Sequence, residues 1–552
     1  MGTLMRKRQR ARLTWRALGL AGLLLLPGCG SGNGDGGEDA IAPPDWGQWA
    51  RDPSHTGRSP VTGQPLARVL ADLVYDPLAP QVVTASGAVY IHYQAPLVAG
   101  DDLFMTFKSG TVASPSWSVK RLRFANGRQE DRWTFGSDWR PVPGLTWEPV
   151  FHPALAGGFL YVPAASGGVF KLDPRSGQQV ARITPFGTVA DTFVGGPLSV
   201  APDGSILYNT LTLDLAAPWT SDARGSALVR VTADDRAVSV SYARLIPAAP
   251  APDAPCELQF DNADLPWPPS PGARPPTAPC GTQRPGVNVA PAIGPNGVLV
   301  TISRAHLNTR YGYLVALNPD LTLRWASSLR DHLSDGCGSS LLPPNGTPGG
   351  CREGARQGVD PATNAPPAGR VLDLSTSSPV ISPDGSVLYG AYTRYNGSRG
   401  HLMHFDSGGR FLHSFDFGWD VTPALHVRAA GWSAILKDND YGAGSYCDVP
   451  SVCPRGPLGP FRLVQLSPEL VPEWRSDPAP DEWCINAPAV DAEGTVFALN
   501  EDGQLYAIRQ GGAVRDRIML ARAVGAAYTP LAIGGDGRIF ALNYGRLFVV
   551  GR

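Results

Sequence analysis

The sequence predicts an all-β, eight-bladed β-propeller of four-stranded antiparallel sheets. Three observations predict it: a recurring hairpin unit, its spacing, and two chain ends that complete each other. The clearest copy of the unit is Thr376–Tyr392, TSSPVISPDGSVLYGAY. Val380 and Ile381 lead into Pro383-Asp384-Gly385, and Val387, Leu388 and Tyr389 lead out. Asp-Gly between apolar runs signals a tight hairpin, because glycine accepts the positive φ such a turn needs. Pro379 stands just before the first strand, where the missing N–H leaves no gap in a ladder.

The unit recurs behind Pro197 (GGPLSVAPDGSILY), Pro291 (VAPAIGPNGVLV), Pro488 (NAPAVDAEGTVFAL) and Pro530 (YTPLAIGGDGRIFAL). Weaker copies follow Pro96, Pro153 and Pro423. The spacing is 44 residues from Pro153 to Pro197 and from Pro379 to Pro423, and 42 from Pro488 to Pro530. That is about the length of one four-stranded blade. Seven blades is the alternative if one weak copy is not a sheet. After Pro530, Leu531–Val550 supplies only three strands, LAI, RIFAL and RLFVV. Ala67–Tyr75, ARVLADLV followed by Tyr, has no hairpin partner beside it. It is expected as the fourth strand, closing the ring and removing an open edge.

At 552 residues the chain would ordinarily be read as several domains, but blades stack into one body. Residues 1–28 read as a lipoprotein signal peptide. Arg6, Lys7, Arg8, Arg10, Arg12 and Arg16 precede the apolar run Ala17–Leu26, too short to span a bilayer. Leu26-Pro27-Gly28-Cys29 is similar to a bacterial lipobox, which makes Cys29 the expected site of lipidation, palmitate included. Residues 29–44 are Gly-rich and have nothing to bury, so they read as a flexible tether. The propeller is then 45–552, with insertions at 246–285, 331–369 and 438–460. The expected location is the bacterial cell envelope, lipid-anchored at the outer membrane.

The whole chain carries a formal net charge of −1. Without the six cations of residues 1–28 it is more acidic, and no long basic run remains, which argues against a nucleic-acid partner. The chain has eight cysteines. Besides Cys29, local pairing would join Cys256 to Cys280, Cys337 to Cys351 and Cys447 to Cys453, each within one loop and suited to an oxidising compartment. Cys484 is left over, or pairs with Cys447 or Cys453. No paired C-x-x-C or His cluster points to zinc, and no metal site is assigned.

Asp45–Pro60, DWGQWARDPSHTGRSP, resembles the entry segment of the PQQ-like, quinoprotein-type propeller family through Trp46, Trp49, His55, Thr56, Gly57 and Ser59. With the repeats, the resemblance covers nearly the whole of 45–552. The segment reads as a structural plug. Trp133, Trp325 and Trp474 end outer strands at matching positions and are expected to pack between blades. The enzymes of this family hold PQQ between a Trp floor and a disulfide of adjacent cysteines, beside a calcium held by Glu and Asn. No two cysteines are adjacent here, and Leu172–Gly177 lacks the Trp that ends the family's docking motif, so neither PQQ nor calcium is expected as a cofactor. Asp438-Asn439-Asp440-Tyr441-Gly442 lacks the bidentate Glu of a calcium loop. There is no Gly-x-Ser-x-Gly elbow, HExxH or phosphate loop.

One constellation remains. Segments entering the innermost strands line one mouth of a propeller's channel. They carry Trp147, Glu148 and His152, Asp191, Trp419 and Asp420, and Asp481, Glu482, Trp483 and Asn486. Aromatics beside carboxylates suit a neutral glycan or a cationic ligand; the plainer reading is that the indoles cap the core. The function expected is non-enzymatic binding or scaffolding at the cell envelope, with an envelope protein or glycan as partner. The alternative is a quinoprotein-type oxidoreductase or a glycan-active enzyme.

Overall fold

The computed structural model describes residues 40–86, 94–125, 127–145, 148–258, 274, 276–330, 332, 377–393, 399–417, 421–439, 459–483, 487–522 and 530–552. Eight antiparallel blades follow one another in chain order, each running from an inner to an outer strand. In seven of them an inner-strand segment starts at the residue after its proline: Leu97, Ala154, Ala292 (where blade 4's interrupted strand resumes), Val380, Ala424, Ala489 and Leu531. In blade 3 it resumes at Ser199, two residues after Pro197. The weak copies behind Pro96, Pro153 and Pro423 are therefore full blades, and the count is eight.

The turns bear out the hairpin reading. Gly204, Gly297, Gly385, Gly494 and Gly537 occupy equivalent places and share φ between 73° and 84°, a region open to glycine at little cost. Blades 3 and 4 differ from the rest. Their inner strands are each interrupted, Thr192–Val194 and Ser199–Val200 both pairing with Ile206–Thr212, and Gln283–Pro285 and Ala292–Ile293 with Leu299–Ala305. The end of the first insertion is thus part of a blade rather than an irregular loop. Within it Cys256 and Cys280 form a disulfide across the small hairpin Pro255–Glu257 and Thr277–Pro279. Cys29, Cys337, Cys351, Cys447, Cys453 and Cys484 lie outside the described residues.

Blade 8 has the order Arg68–Val74, Arg546–Gly551, Ile539–Asn543, Leu531–Ile533. The first of these pairs antiparallel with the second over Arg68↔Gly551 to Val74↔Arg546. The ring is closed by both termini, as the sequence implied. One continuous core joins the blades on either side of the seam, from Leu103 and Met105 through Ile533 and Phe540 to Phe497.

Neighbouring blades are stapled at the rim. The indole of Trp133 (blade 1) covers Gly177 of blade 2, where a Cβ would stand 2.6 Å from the ring, and its Nε1–H donates to the Pro174 carbonyl at 2.9 Å. Trp325 (blade 4) repeats this over Gly409 of blade 5, donating to the Ser407 carbonyl at 3.0 Å. The turn Leu172–Gly177 is thus covered by a Trp of the preceding blade, while the strand after it, Gln179–Ile183, carries none. Trp432 of blade 6 donates to Asp384 of blade 5 at 2.9 Å. With the Ser382 hydroxyl and the Ser386 N–H also donating, that carboxylate is held down at about 2. Among the described residues no helix is long and apolar enough to cross a membrane.

Candidate functional site

The axis of the propeller is occupied by the chain itself. Residues 45–59 run round it and bind the inner strands of blades 1 to 7 in turn. Val98 N–H donates to Trp46, Leu155 N–H to Gly47, Ile293 N–H to Pro53, Ile381 N–H to Ser54, Leu425 N–H to Thr56 and Val490 N–H to Gly57, at 2.7–3.0 Å. Blade 3 is met by a side chain: Val200 N–H donates to Gln48 Oε1 at 2.7 Å. Six of these seven donors stand two residues after the blade's proline. An inner strand has no neighbour on its axial side, so its N–H there would be buried without a partner; the strip supplies the carbonyl.

The sequence of the strip follows from this task. It must turn at each blade, and Ala50, Arg51 and His55 take φ of 47°, 76° and 62°. Asp52 holds the tightest bend by accepting from the Thr56 N–H at 3.0 Å and from the Thr56 hydroxyl. At Gly57, φ is 62° and a Cβ would lie 2.6 Å from the Pro488 carbonyl, so only glycine fits. In His-Thr-Gly-x-Ser, then, Thr56 and Gly57 cap two blades and Ser59 N–H donates back to Val490 at 2.7 Å.

Two fully buried histidines sit at the axis. His55 Nδ1–H donates to the Pro379 carbonyl at 2.8 Å, and Ser199 Oγ lies 3.5 Å from its Nε2. His152 Nδ1–H donates to the Pro153 carbonyl at 2.7 Å, and its ring meets the Trp49 indole edge-on at 5.7 Å. Its Nε2 has no hydrogen-bond partner among the described residues. Burial lowers both imidazoles to about 4, so both are neutral at pH 7. Trp49, Ala50, Ala290 and Ala487 fill the space between them and the inner strands.

The remaining mouth residues are committed elsewhere. Glu148 and Asp76 flank the buried Lys108 ammonium, Glu148 in a short ion pair and Asp76 at 3.8 Å. Burial raises both carboxyls above the usual range, against the pull of Lys108. Asp191 pairs with Arg224 at 3.0 Å. Trp483 is 1 % exposed and packs at 5.1 Å against Tyr506 in the core between blades 6 and 7. Asn439 fixes it from blade 6, its amide bonding both the Trp483 carbonyl and N–H at 3.1 and 3.2 Å. Of the two readings of this indole, ligand-facing or core-capping, the second holds for Trp483. Asp481 and Glu482 stay half-buried beside it, the Asp481 carbonyl accepting from Asn500 at 2.6 Å. Trp147, Trp419, Asp420 and Asn486 lie outside the described residues; among the described ones the structure brings together His152 with the strip and Glu148 with Lys108.

Sequence reasoning missed a set of buried cations. Lys108, Arg304 and Lys437 stand toward the far ends of the second strands of blades 1, 4 and 6, and all are buried. Arg304 donates to the Tyr389 hydroxyl. Beside it Arg284 Nε–H donates to His306 Nδ1 at 3.0 Å and lies 5.2 Å above Trp219. His306 therefore carries its proton on Nε2, which donates to the Pro218 carbonyl at 3.1 Å. The signal was a cation ending an otherwise apolar strand, as in DLFMTFK, LVTISR and WSAILK.

The fold defines the class, an eight-bladed β-propeller whose axis is lined by an N-terminal strip. No protein-family model and no curated protein matches the chain. Solved structures do. A europium-containing methanol dehydrogenase superimposes with a TM-score of 0.55 at 12 % identity, covering 90 % of this chain and 89 % of that one. Quinohemoprotein alcohol dehydrogenase from Comamonas testosteroni gives 0.52 at 14 %, covering 94 % and 82 %. BamB from Moraxella catarrhalis gives 0.42 at 12 %, covering 83 % and 96 %, too far in geometry to add to the reading. At such identities the likeness is one of fold, which hosts unrelated functions.

The residues do not fit the cofactor set that the fold suggests. No two cysteines are adjacent in the chain. Glu148 is bound to Lys108, and Trp483 is inside an interblade core. Asp438 pairs with Arg475 at 2.8 Å and Asn439 holds Trp483, so neither is disposed as a calcium ligand. Among the described residues no three His, Cys, Asp or Glu side chains form a metal-binding group.

Proposed function

We propose that the protein is a non-catalytic propeller that binds or scaffolds partners at the cell envelope, held there by lipid on Cys29. One observation carries this reading. Residues 45–59 run round the axis, where a propeller can hold a small-molecule site, and their carbonyls accept from the chain's own inner strands. The lipobox-like tetrapeptide and the Gly-rich run behind it support the anchor. Labelled palmitate is expected in the wild type and not in Cys29→Ala; equal labelling of both would remove the anchor from the reading.

The competing reading is a quinoprotein-type oxidoreductase, favoured by the shared fold with two alcohol dehydrogenases. Adding PQQ and calcium to the purified protein distinguishes the two. A scaffold develops no bound-quinone absorbance and oxidises no alcohol with an artificial electron acceptor. Absorbance together with turnover would establish the enzyme. Screening an array of envelope glycans tests the third possibility at the mouth around Glu148 and Glu482.

A further inference from the structure

We propose that the closing strand Arg68–Val74 is an open docking edge that accepts an extended, acidic segment of a second protein as an additional strand. The proposal concerns the rim and holds whether or not the mouth binds anything. This strand is the outermost of blade 8 and, among the described residues, is paired on one side only, with Arg546–Gly551. Its other side offers unpaired backbone groups, a template for strand addition.

Outer edges are normally guarded by charge. Blade 1 ends in Arg128-Gln129-Glu130-Asp131-Arg132, and blade 7 in Val514-Arg515-Asp516-Arg517. The closing strand, RVLADLV, lacks such a run of charges, as does Ala237–Ser241 of blade 3. Val69, Leu70 and Val74 are 36–42 % exposed, while Ala71 and Leu73 pack inward. Its single carboxylate, Asp72, is taken by a two-pronged pair with Arg546 at 2.8 Å. A bulge between Val69 and Ala71 leaves Leu70 out of the register.

Charge names the occupant. The N-terminal half of the strand borders a cleft of about 400 Å³ between blade 8 and the last turn of blade 1. Arg68, Arg128, Arg538 and Arg552 wall it, and Phe124 and Val549 are its apolar part. Arg538 is satisfied by Asp101 and the Phe124 carbonyl at 3.0 Å. Arg68, Arg128 and Arg552 make no ion pair among the described residues, so the cleft carries surplus positive charge. A strand laid on this edge would set apolar side chains beside Val69, Leu70 and Val74 and acidic ones beside the guanidinium groups.

The test uses full-length protein in detergent and a fluorescent peptide alternating Glu and Val, roughly ten residues long to span the seven-residue edge. A second peptide carries Lys in place of Glu. Saturable anisotropy is expected with the acidic peptide alone. Affinity should fall at least about tenfold in Arg68→Glu/Arg128→Glu and in Leu70→Lys, all exposed changes that leave the thermal melt in place. Amides of 68–74 should exchange more slowly in the complex. No binding, equal binding of the Lys peptide, or indifference to all three substitutions overturns the proposal. So does polyphosphate binding as well as the peptide with no amide protection, which would leave a bare charge patch. Peptide-free self-association that Leu70→Lys abolishes would overturn it in favour of a second copy as occupant.

Discussion

The hub and the rim of this ring are held by different chemistry. At the hub, one strip of chain accepts hydrogen bonds from seven blades, six through backbone carbonyls and one through Gln48 Oε1. At the rim, each joint is a private arrangement of side chains: Trp133 on Gly177, Trp325 on Gly409, Trp432 on Asp384, and Arg121 clasping Asp102 at 2.7 Å while reaching the Arg175 carbonyl at 2.9 Å. A hub element touches all its neighbours at once, whereas a rim staple couples only two blades. Damage at the hub should therefore be global, and damage at the rim local and small.

The largest effect follows from removing Asp45–Ser59. Seven inner-strand N–H groups lose their acceptors, each worth about 0.5–1.5 kcal/mol net and more if left dry. Their sum is comparable with the whole stability of a typical domain, about 5–15 kcal/mol. The expected outcome is loss of soluble protein and of a single cooperative melt. A deleted protein melting within a few degrees of the parent would show that the strip is an ornament of the hub. Gly57→Ala is the milder version, placing a Cβ 2.6 Å from the Pro488 carbonyl.

Trp483→Ala comes next. The side chain is buried between blades 6 and 7, so about 3–5 kcal/mol should be lost, read as a shift in denaturant midpoint. Had this indole faced a ligand at the mouth, the loss would appear in binding and the melt would barely move. The same substitution thus decides whether the mouth belongs to the hub or to the solvent.

Acid probes the hub without mutation. Both histidines are lowered to about 4 in the folded protein from an ordinary value near 6.5. Above about pH 6.5 they are neutral folded or unfolded and contribute nothing to pH dependence. Between about 6.5 and 4 the unfolded chain takes up protons that the folded one refuses. Stability should then fall by about 1.4 kcal/mol per pH unit for each imidazole, until the folded forms protonate. Burial raises Asp52, Asp76 and Glu148, which works in the opposite sense as they protonate. His152→Asn should flatten the fall by its share. An unchanged slope would mean that the Trp49–His152 contact admits solvent.

How far the sequence could be read follows the same division. The prolines at 96, 153, 197, 291, 379, 423, 488 and 530 mark the hub because a short inner strand tolerates a residue without N–H at its start, and that constraint is local. The ring closure was legible from strand arithmetic alone. The plug was legible as a plug, but not that its carbonyls are dealt out blade by blade, since backbone bonding leaves little trace in side-chain identity. Which of the two readings held at Trp483 was not legible, because position before an inner strand fixes where a segment runs and not which way its side chain turns. Asn439, 44 residues away, turns it inward. Lys108 and Glu148 likewise lie 40 residues apart, and nothing in either local sequence announces the other.

The smallest effect belongs to the rim and has an internal control. Trp325 and Trp474 lie within the outer strands of blades 4 and 6 and are both half-buried. Trp325 Nε1–H donates to Ser407, while Trp474 Nε1 has no hydrogen-bond partner among the described residues. Replacing each by Phe removes the same atoms and similar apolar contact, so subtracting one loss from the other leaves the hydrogen bond. Trp325→Phe should be the costlier by about 1 kcal/mol. The carbonyl it abandons stands at a surface turn where water can reach it, which keeps the figure at the low end. Equal losses, measured by chemical denaturation, would show that stacking on Gly409 alone makes the joint and that the staple is steric. A difference well above about 2 kcal/mol would show that this rim joint carries hub-like weight.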